Sequence, residues 1–290
     1  MTRYRFIAEY AHEHTVQLMC ALLEVSRSGY YAFRRRGPSC RDLANEKLVA
    51  EIRTVHQRSH GIYGSPRIHR TLAKSGIRCG RHRVARLMAK EAIVARSRKR
   101  FRTTTRQRKG ARVAPDLLQR QFTAQRPHQV WTSDITYIWT MEGWLYLTVV
   151  LDLFSRTVVG WATSARIDAT LVCRAFTRAF QRYQPREMLI SHSDRGSQYT
   201  SSMFTGLINA QSVEVLQSHG LSCYDNAVME SFFHTLKTEW VPFQENATRA
   251  ETHANLFQYL EVFYNNKRLH SAIGYLTPAE KLQEIITKAA

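Results

Sequence analysis

Three acidic residues, Asp134, Asp194 and Glu230, have the types and surroundings that metal-dependent phosphoryl chemistry requires. Asp134 lies within the β-rich run 131–138, and Asp194 ends the apolar run that starts at Leu189. Acidic residues are depleted in β-strands, so an acid at either place is unusual. Hard divalent cations take oxygen ligands, and two such ions about 4 Å apart can hold the attacking and leaving oxygens of an in-line phosphoryl displacement. The three carboxylates therefore predict a two-metal site.

The residues around Glu230 predict the helix that would carry it. From about Ala227, apolar residues recur at helical spacing. These residues are Val228, Phe232, Phe233, Leu236 and Trp240. Glu230, His234 and Lys237 fall on the opposite side, where the carboxylate would be presented. Asp225 and Asn226 stand where an N-cap belongs, and we interpret Asp225 as the helix cap.

The spacing of the three acids and the sequences around them resemble a known family. Along the chain, 59 residues separate Asp134 from Asp194, and 35 separate Asp194 from Glu230. This pattern is similar to the DDE triad of transposases and retroviral integrases, which have an RNase H-like fold. Segments that agree in order and spacing are 131–138, 151–156, 192–199, 224–233 and 264–278. Over nearly its whole length, the chain resembles the OrfB transposase of insertion-sequence family three.

The resemblance implies both a reaction and a set of partners. Asp134, Asp194 and Glu230 would be catalytic and would hold two Mg²⁺ ions, for which Mn²⁺ is expected to substitute. The protein would cleave and join DNA at the terminal inverted repeats of a mobile element and in target DNA, by copy-out/paste-in transposition. Its expected partners are OrfA, or an OrfA portion fused to it by frameshifting, and further copies of itself on DNA. The expected location is the bacterial cytoplasm, in association with the nucleoid.

Two functions of other kinds are alternatives. The first is a nuclease of the same fold, which hydrolyses DNA strands but does not join them. The second is a non-catalytic DNA-binding regulator, against which the intact triad weighs. An assay that follows labelled DNA ends separates the three possibilities.

Other polar residues compete for a place in the site. Asp152 ends a strand before Ser155, and it is either a further metal ligand or the acceptor of a turn or salt bridge. His192 and His234 are close to the triad in sequence, but imidazole is a poor ligand for magnesium. We expect these histidines to contact DNA or to orient their neighbours.

The excess positive charge lies entirely in the front part of the chain. Residues 1–113 hold 27 Lys and Arg against 7 Asp and Glu, whereas residues 114–290 hold 15 against 16. Residues 96–112 alone contain nine basic residues and no acidic one. This asymmetry predicts a polyanion-binding region joined to a roughly neutral body. We interpret the basic run as a linker that also lies along DNA.

A helix-turn-helix-like region precedes this linker. Residues 45–58 form an amphipathic pattern, and shorter helical patterns follow around Ile68 and Val84. Three arginines on the last of these helices favour DNA contact, although an ordinary three-helix bundle with a basic surface is the alternative. The residues predicted to contact nucleic acid are Arg81, Arg83, Arg86, Arg98, Lys99, Arg100, Arg106, Arg108, Lys109, Lys237 and Arg268. For Arg268 and the nearby His270, a structural role is the alternative.

The pattern as a whole predicts an α/β protein. From Trp131 it reads strand, strand, strand, helix, strand, with Asp168 as the cap of the helix. This order suits an RNase H-like catalytic core, a mixed β-sheet flanked by helices, behind an all-α helix-turn-helix-like N-terminal domain. The resemblance makes the first strand central, which brings Asp134 beside Asp194. The predicted regions are an N-terminal helical segment (1–44), a helix-turn-helix-like DNA-binding domain (45–95), a basic linker (96–125) and a catalytic domain with C-terminal helices (126–290).

Composition excludes several other classes of protein. The five cysteines are odd in number and widely scattered, which argues for reduced thiols. Cys79 and His82 are close together, but no second pair has zinc-finger spacing. No run approaches 18 apolar residues, so we expect no membrane span, and the first residues lack a signal-peptide pattern.

Overall fold

The computed structural model describes residues 2–37, 39–96, 114–220, 223–240 and 247–289. The chain forms two compact units, Met1–Val94 and Ala95–Ala290. Across those described ranges, no helix is both long enough and apolar enough to cross a membrane. Six of the predicted DNA-contacting residues lie outside the described residues: Arg98, Lys99, Arg100, Arg106, Arg108 and Lys109.

The first three helices of the front unit share a small core. They are α1 (Arg3–Tyr10), α2 (Val16–Leu22) and α3 (Arg27–Arg35). Side-chain oxygens of Thr15 and Ser26 accept backbone N–H bonds at the starts of α2 and α3. The buried residues around which these helices pack are Ile7, Met19, Cys20 and Tyr30.

The predicted helix-turn-helix-like region contains three helices, α4 (Cys40–Arg58), α5 (Ser65–Lys74) and α6 (Arg81–Lys90). Their buried residues recur at helical spacing and include Leu48, Ile52, Ile68, Leu72, Val84 and Leu87. A capping box between Ser39 and Asp42 starts α4 five residues earlier than the apolar pattern indicates. The predicted boundary between residues 44 and 45 therefore falls inside a continuous helix.

The rear unit is built on a five-stranded mixed sheet. Its strands are β1 (Val130–Thr140), β2 (Gly143–Asp152), β3 (Val158–Ser164), β4 (Leu189–Ser193) and β5 (Val215–His219). Their order is β3-β2-β1-β4-β5, with antiparallel pairing among the first three strands in sequence and parallel pairing of β1 with β4 and of β4 with β5. The predicted central position of the first strand is confirmed, and the RNase H-like class with it.

Helix α7 (Ala169–Tyr183) covers one face of this sheet. The Asp168 carboxylate accepts a bond from the Leu171 N–H at 2.9 Å, which confirms the predicted cap. The helix packs closely because β3 has a glycine beneath it: a Cβ on Gly160 would collide with the Ala175 carbonyl oxygen. The core on this face includes Trp131, Val150, Leu171, Phe176 and Phe180.

The remaining helices lie around the site and in the C-terminal part of the chain. They are α8 (Ser202–Asn209), α9 (Ala227–Glu239), α10 (Arg249–Phe257) and α11 (Pro278–Ala289). A 3₁₀ turn, Cys223–Asn226, leads into α9, and a π-helical segment, Gln258–Tyr264, continues α10. The sequence pattern predicted α9 and C-terminal helices, but it missed α8 and β5.

Part of the predicted linker (96–125) contacts the sheet of the rear unit. Leu118 is buried in a cluster with Val130 and Leu153. The Leu117 N–H donates to Ser218 Oγ at 2.9 Å. Because this stretch has its own apolar contacts with the sheet, it belongs to the rear unit.

Candidate active site

The sheet and α9 bring the three predicted carboxylates to one region. Asp134 stands in the middle of β1, Asp194 directly follows β4, and Glu230 lies in the first turn of α9. Residues Val130–Thr132 of β1 pair in parallel with Ile190–His192 of β4. The two strands therefore bring Asp134 and Asp194 side by side.

The electrostatics of Asp134 show that the acids are neighbours. Burial raises the pKa of Asp134, the charges of Asp194 and Glu230 raise it further, and the result is about 7. The Ile135 N–H, which donates to Asp134 Oδ1 at 2.7 Å, and the Lys237 ammonium act in the opposite direction. Burial also raises the pKa of Glu230. Because two other acids raise the pKa of Asp134, a cation bound beside them would be stabilised by their negative charge.

These residues form a suitable donor set for hard divalent cations. All three offer carboxylate oxygens. In the described parts of the chain, no three His, Cys, Asp or Glu side chains stand close enough together to hold one ion in this conformation. The Asp194 Oδ1 instead accepts the Gly196 N–H at 3.0 Å, within its own exposed turn. The mutual repulsion of the acids, which a cation would relieve, favours this spread arrangement.

Buried hydrogen bonds attach the start of α9 to the strands beside the site. The Thr132 hydroxyl donates to Asn226 Oδ1 at 2.7 Å, and Asn226 Nδ2 donates to the Ser133 carbonyl at 3.1 Å. Asn226 therefore orients the helix that carries Glu230. Sequence reasoning placed Asn226 near an N-cap but gave it no role in positioning.

The structure corrects the prediction for Asp225 and decides between the two alternatives for His192. Asp225 does not cap α9: its carboxylate accepts a 2.8 Å bond from Arg120 Nε, because a 3₁₀ turn moves it away from the helix start. His192 is buried and cannot touch DNA. Its Nδ1 bonds with Ser218 Oγ at 2.9 Å and its Nε2 with the Asp225 carbonyl at 2.8 Å, so it orients neighbours, as the other interpretation expected.

Asp152 has the turn role rather than a ligand role. Its buried carboxylate accepts bonds from the His128 N–H at 2.8 Å, the Ser155 N–H at 2.9 Å and the Ser155 hydroxyl at 2.6 Å. It faces Trp131 across the β1–β2 ladder, three residues before Asp134 on β1. These bonds use its oxygens to close the turn that joins β2 to β3.

Arg268 has the structural role that the sequence left as an alternative. Its guanidinium is buried, with Nε and Nη2 each donating to Glu239 at 2.6 Å and Nη1 within 2.8 Å of His270 Nε2. A buried guanidinium with all three nitrogens engaged cannot contact a DNA phosphate. Arg268 therefore does not have the predicted role in DNA contact, and its role is structural.

The other predicted DNA-contacting residues that the structure describes differ in how exposed their side chains are. Lys237 is half-buried beside the acids, with its Nζ 4.9 Å from the centroid of the Tyr137 ring. On α6, Arg81 and Arg86 are exposed, whereas Arg83 is half-buried and donates through Nε to Asn45 Oδ1 at 2.9 Å. His234 is exposed on α9.

Tyr199 is a buried residue near the acids that the sequence pattern did not indicate. Tyr199 is fully buried, and its pKa is raised well above the ordinary value by burial first and then by the charges of Asp134 and Asp194. Ser133, directly before Asp134, is also fully buried. A single buried hydroxyl gives no periodic signal, so only the packing reveals that Tyr199 lies near Asp134 and Asp194.

The raised pKa of Asp134 predicts a pH-dependent stability. An aspartate in an unfolded chain titrates at about 3.9, so the folded protein binds this proton more tightly. The free energy of unfolding should therefore fall as the pH rises from about 4 to about 7. Above about pH 7, Asp134 is ionised in the folded protein and the loss of stability is complete. We expect Asp134→Asn to stabilise the cation-free protein by about 1–3 kcal/mol at about pH 8 and to have little effect near pH 4.

Denaturant titrations followed by tryptophan fluorescence test this expectation, because all five tryptophans lie in residues 131–240 and report on the rear unit. Glu214→Gln, which alters an exposed acid of the same unit just before β5, is the matched control and should show no such pH-dependent gap. Equal stability of wild type and Asp134→Asn across the pH range would contradict the electrostatic coupling of the three acids.

The chain matches models of three protein families. An HTH-like domain matches residues 43–101, and two models described as integrase core domain match residues 124–224 and 230–281. Together the integrase models include all three carboxylates.

The chain is also similar to curated proteins over most of its length. It is 38% identical over 261 residues to the 31 kDa protein of insertion element IS600 from Shigella sonnei, covering 90% of this chain and 96% of that protein. It is 36% identical over 281 residues to transposase InsF for insertion sequence IS3A from Escherichia coli K12, covering 96% and 97%. Among solved structures, the catalytic core of BIV integrase matches with a TM-score of 0.40 and 21% identity, over 56% of this chain and 99% of that one.

Proposed function

Because the chain belongs to the family of insertion-sequence IS3 transposases, we propose that Asp134, Asp194 and Glu230 are the carboxylates with which this DNA transposase cuts and joins strands. The observation that carries this assignment is the parallel pairing of β1 with β4, which brings Asp134 beside Asp194. The charges of Asp194 and Glu230, which both raise the pKa of Asp134, agree with it. Acids separated by 59 and 35 residues in sequence act on one another in the folded chain. A metal-dependent site requires such a concentration of negative charge.

An integrase-type core uses divalent metal, and the finer proposal is that two Mg²⁺ ions bind here, with Mn²⁺ able to substitute. The chemistry supplied by such a pair is activation of an attacking oxygen and stabilisation of the leaving oxygen in an in-line displacement. Asp134 would be the ligand in the most rigid position, since the central strand and the Ile135 N–H fix it. Asp194 would have to give up its bond to the Gly196 N–H, and Asn226 holds the helix that presents Glu230.

The reaction itself is tested with DNA ends labelled on each strand, incubated with the full chain and magnesium. Strand transfer should yield products in which a labelled 3′ end is joined to a new strand. Cleaved but unjoined products alone would favour a nuclease of the same fold. Tight binding with neither product would favour a non-catalytic regulator.

Binding of DNA is proposed to rest on the front part of the chain. Arg81 and Arg86 are exposed on α6, and the basic run 96–112 follows shortly after it. Phosphate contacts of this kind position a protein without reading the sequence. Because its substrate is DNA, we propose that the protein acts at the nucleoid.

Salt dependence tests this electrostatic proposal. The slope of log affinity against log salt should be steep, about −0.9 for each phosphate neutralised. Replacing Arg81 and Arg86 together with alanine should reduce the slope by about one for each phosphate that is no longer neutralised, whereas Arg83→Ala should change it less because Arg83 is bonded to Asn45. A fragment of residues 114–290 should lose most nonspecific affinity. A flat slope, or a fragment that binds as tightly as the whole chain, would refute the proposal.

Recognition of the element's own ends is proposed to require an OrfA partner, separate or fused by frameshifting, and assembly of several copies on DNA. The chain has no run of three or four heptads with apolar a and d positions, so it lacks a dimerising coiled coil of its own. Movement by copy-out/paste-in belongs to the same proposal.

Affinity for the terminal repeat and for scrambled DNA, measured at equal salt with and without the fused partner, tests this proposal. The chain alone should prefer the repeat by much less than the factor of about 10³ that specific binders reach. A preference of that size without the partner would show that the chain recognises its own ends.

A further inference from the structure

Three large aromatic side chains lie exposed together on one face of the β1–β2 hairpin. Tyr137, Trp139 and Trp144 are 47%, 63% and 44% exposed. The Tyr137 and Trp144 ring centroids are 5.0 Å apart and those of Trp139 and Trp144 are 4.8 Å apart, both in edge-to-face contact. On the other face of the same hairpin, Ile138 and Leu145 are buried. The aromatic cluster is thus held in a fixed shape, and it is not part of the core.

This aromatic cluster is close to the catalytic carboxylates. Tyr137 follows Asp134 by three residues on β1 and Trp139 by five, which corresponds to about 10 Å and 17 Å along a strand. Because both spacings are odd, the two rings lie on the face of β1 opposite the Asp134 side chain, and DNA would reach them around the edge of the strand. Strand β4 pairs with β1 only at Val130–Thr132, so the edge of β1 is not covered by β4 beyond Asp134. One side chain links the two places: Lys237 lies on α9, the helix that carries Glu230, and its Nζ is 4.9 Å from the centroid of the Tyr137 ring.

The charges around the aromatic cluster suit a polyanion with apolar bases. Lys237 lies at the Tyr137 end. At the hairpin turn, Arg249 Nη2 lies 3.5 Å from where a Cβ on Gly143 would be. The one acid at this turn, Glu142, accepts the Arg249 backbone N–H at 2.6 Å. Aromatic rings beside cations are how proteins bind single-stranded nucleic acid without sequence preference.

We propose that Tyr137, Trp139 and Trp144 form a stacking surface for unpaired bases of the DNA strand that is cut or joined at Asp134, Asp194 and Glu230. The proposal rests on the proposed function, because it takes the scissile phosphate to lie at these acids. With about 3.4 Å per nucleotide along a strand, the surface would meet bases about three to five nucleotides from that phosphate. The strand would leave the site around the edge of β1 that β4 leaves unpaired, with Lys237 on its backbone.

The test measures binding rather than catalysis. The probes are two labelled DNA duplexes of the same sequence, one fully paired and one with about five unpaired thymidines at one 3′ end. With the full-length protein at equal salt, we expect the wild type to prefer the DNA with unpaired bases. Trp139→Ala should weaken binding of that DNA about tenfold or more and leave duplex affinity within about twofold. Trp139→Phe should retain the preference, and Phe257→Ala, which removes an exposed aromatic from α10, is the matched control.

Three results would overturn the proposal. They are equal affinity of the wild type for both DNAs, equal loss for both DNAs in Trp139→Ala, and a shift of Trp139→Ala to a smaller species in sedimentation without a change in DNA preference. The last would identify the surface as an interface between copies of the chain. Because binding needs no chemistry, a wild type that prefers unpaired bases but neither cuts nor joins DNA would refute the proposed reaction and leave the stacking surface in place.

Discussion

Asp194→Ala is expected to reduce strand cleavage and strand joining by at least about 1,000-fold while leaving DNA affinity nearly unchanged. The substitution removes an oxygen ligand from a site whose chemistry depends on holding divalent cations against phosphate. It leaves intact the exposed arginines of α6, which lie in the other compact unit. Asp134→Ala and Glu230→Ala should behave in the same way, and a double variant should be little worse than a single one because the three acids act as a unit.

The control for this prediction is Glu214→Ala, which removes an exposed carboxylate of the same unit just before β5. It should cleave and join DNA at the wild-type rate. Tryptophan fluorescence of each variant shows whether the rear unit remains folded. A folded Asp194→Ala protein that nicks terminal DNA at a near-normal rate would show that the site has been assigned wrongly.

Arg268→Ala is expected to destabilise the rear unit by about 3–5 kcal/mol. Arg268 and Glu239 are 3% and 7% exposed, and Tyr259 also donates to Glu239, at 2.9 Å. Removing the guanidinium leaves a buried carboxylate without its counter-charge, which costs more than the pair itself contributes. Because Glu239 is the last residue of α9, the loss would also loosen the helix that carries Glu230.

A half-exposed ion pair in the same unit provides the comparison. Arg182 and Glu261 meet at 2.7 Å with 52% of the arginine side chain exposed, so Arg182→Ala should cost no more than about 1 kcal/mol. Denaturant titration of both variants measures the difference. In a second test, Arg268→Met combined with Glu239→Leu should recover much of the loss, since no charge is left buried alone. If Arg268→Ala were no more harmful than Arg182→Ala, Arg268 would not be a structural residue.

The sequence by itself determined the elements that carry the three acids. The run 131–138, the run ending at Asp194 and the helix around Glu230 each have a periodicity that depends only on neighbouring residues. Burial of one face of an element imposes that periodicity on the sequence, whatever the element packs against. The resemblance of the surrounding segments then supplied the central position of the first strand, which the sheet confirms.

Short and polar elements were not predictable in this way. Strand β5 reads Val-Leu-Gln-Ser-His, which has no strong apolar alternation, and it exists because β4 offers it a parallel edge. Helix α8 is only eight residues long, and it is fixed by the burial of Phe204 and Ile208 against α7. In both cases the stabilising partner is far away in the sequence, so the local pattern does not contain it.

Only the tertiary structure decided what each polar residue does. By residue type, Asp152 could be a metal ligand, Asp225 a helix cap and Arg268 a DNA contact. All three are instead buried, and their hydrogen bonds stabilise the fold. Asn226, which looked like an ordinary cap residue, holds the Glu230 helix through Thr132, 94 residues away. A buried polar group must find its partners wherever the fold brings them, because leaving it unpaired costs about 1–3 kcal/mol. The type of a polar residue limits the chemistry it can perform, and the partners that the fold supplies decide whether that chemistry is used for catalysis or for structure.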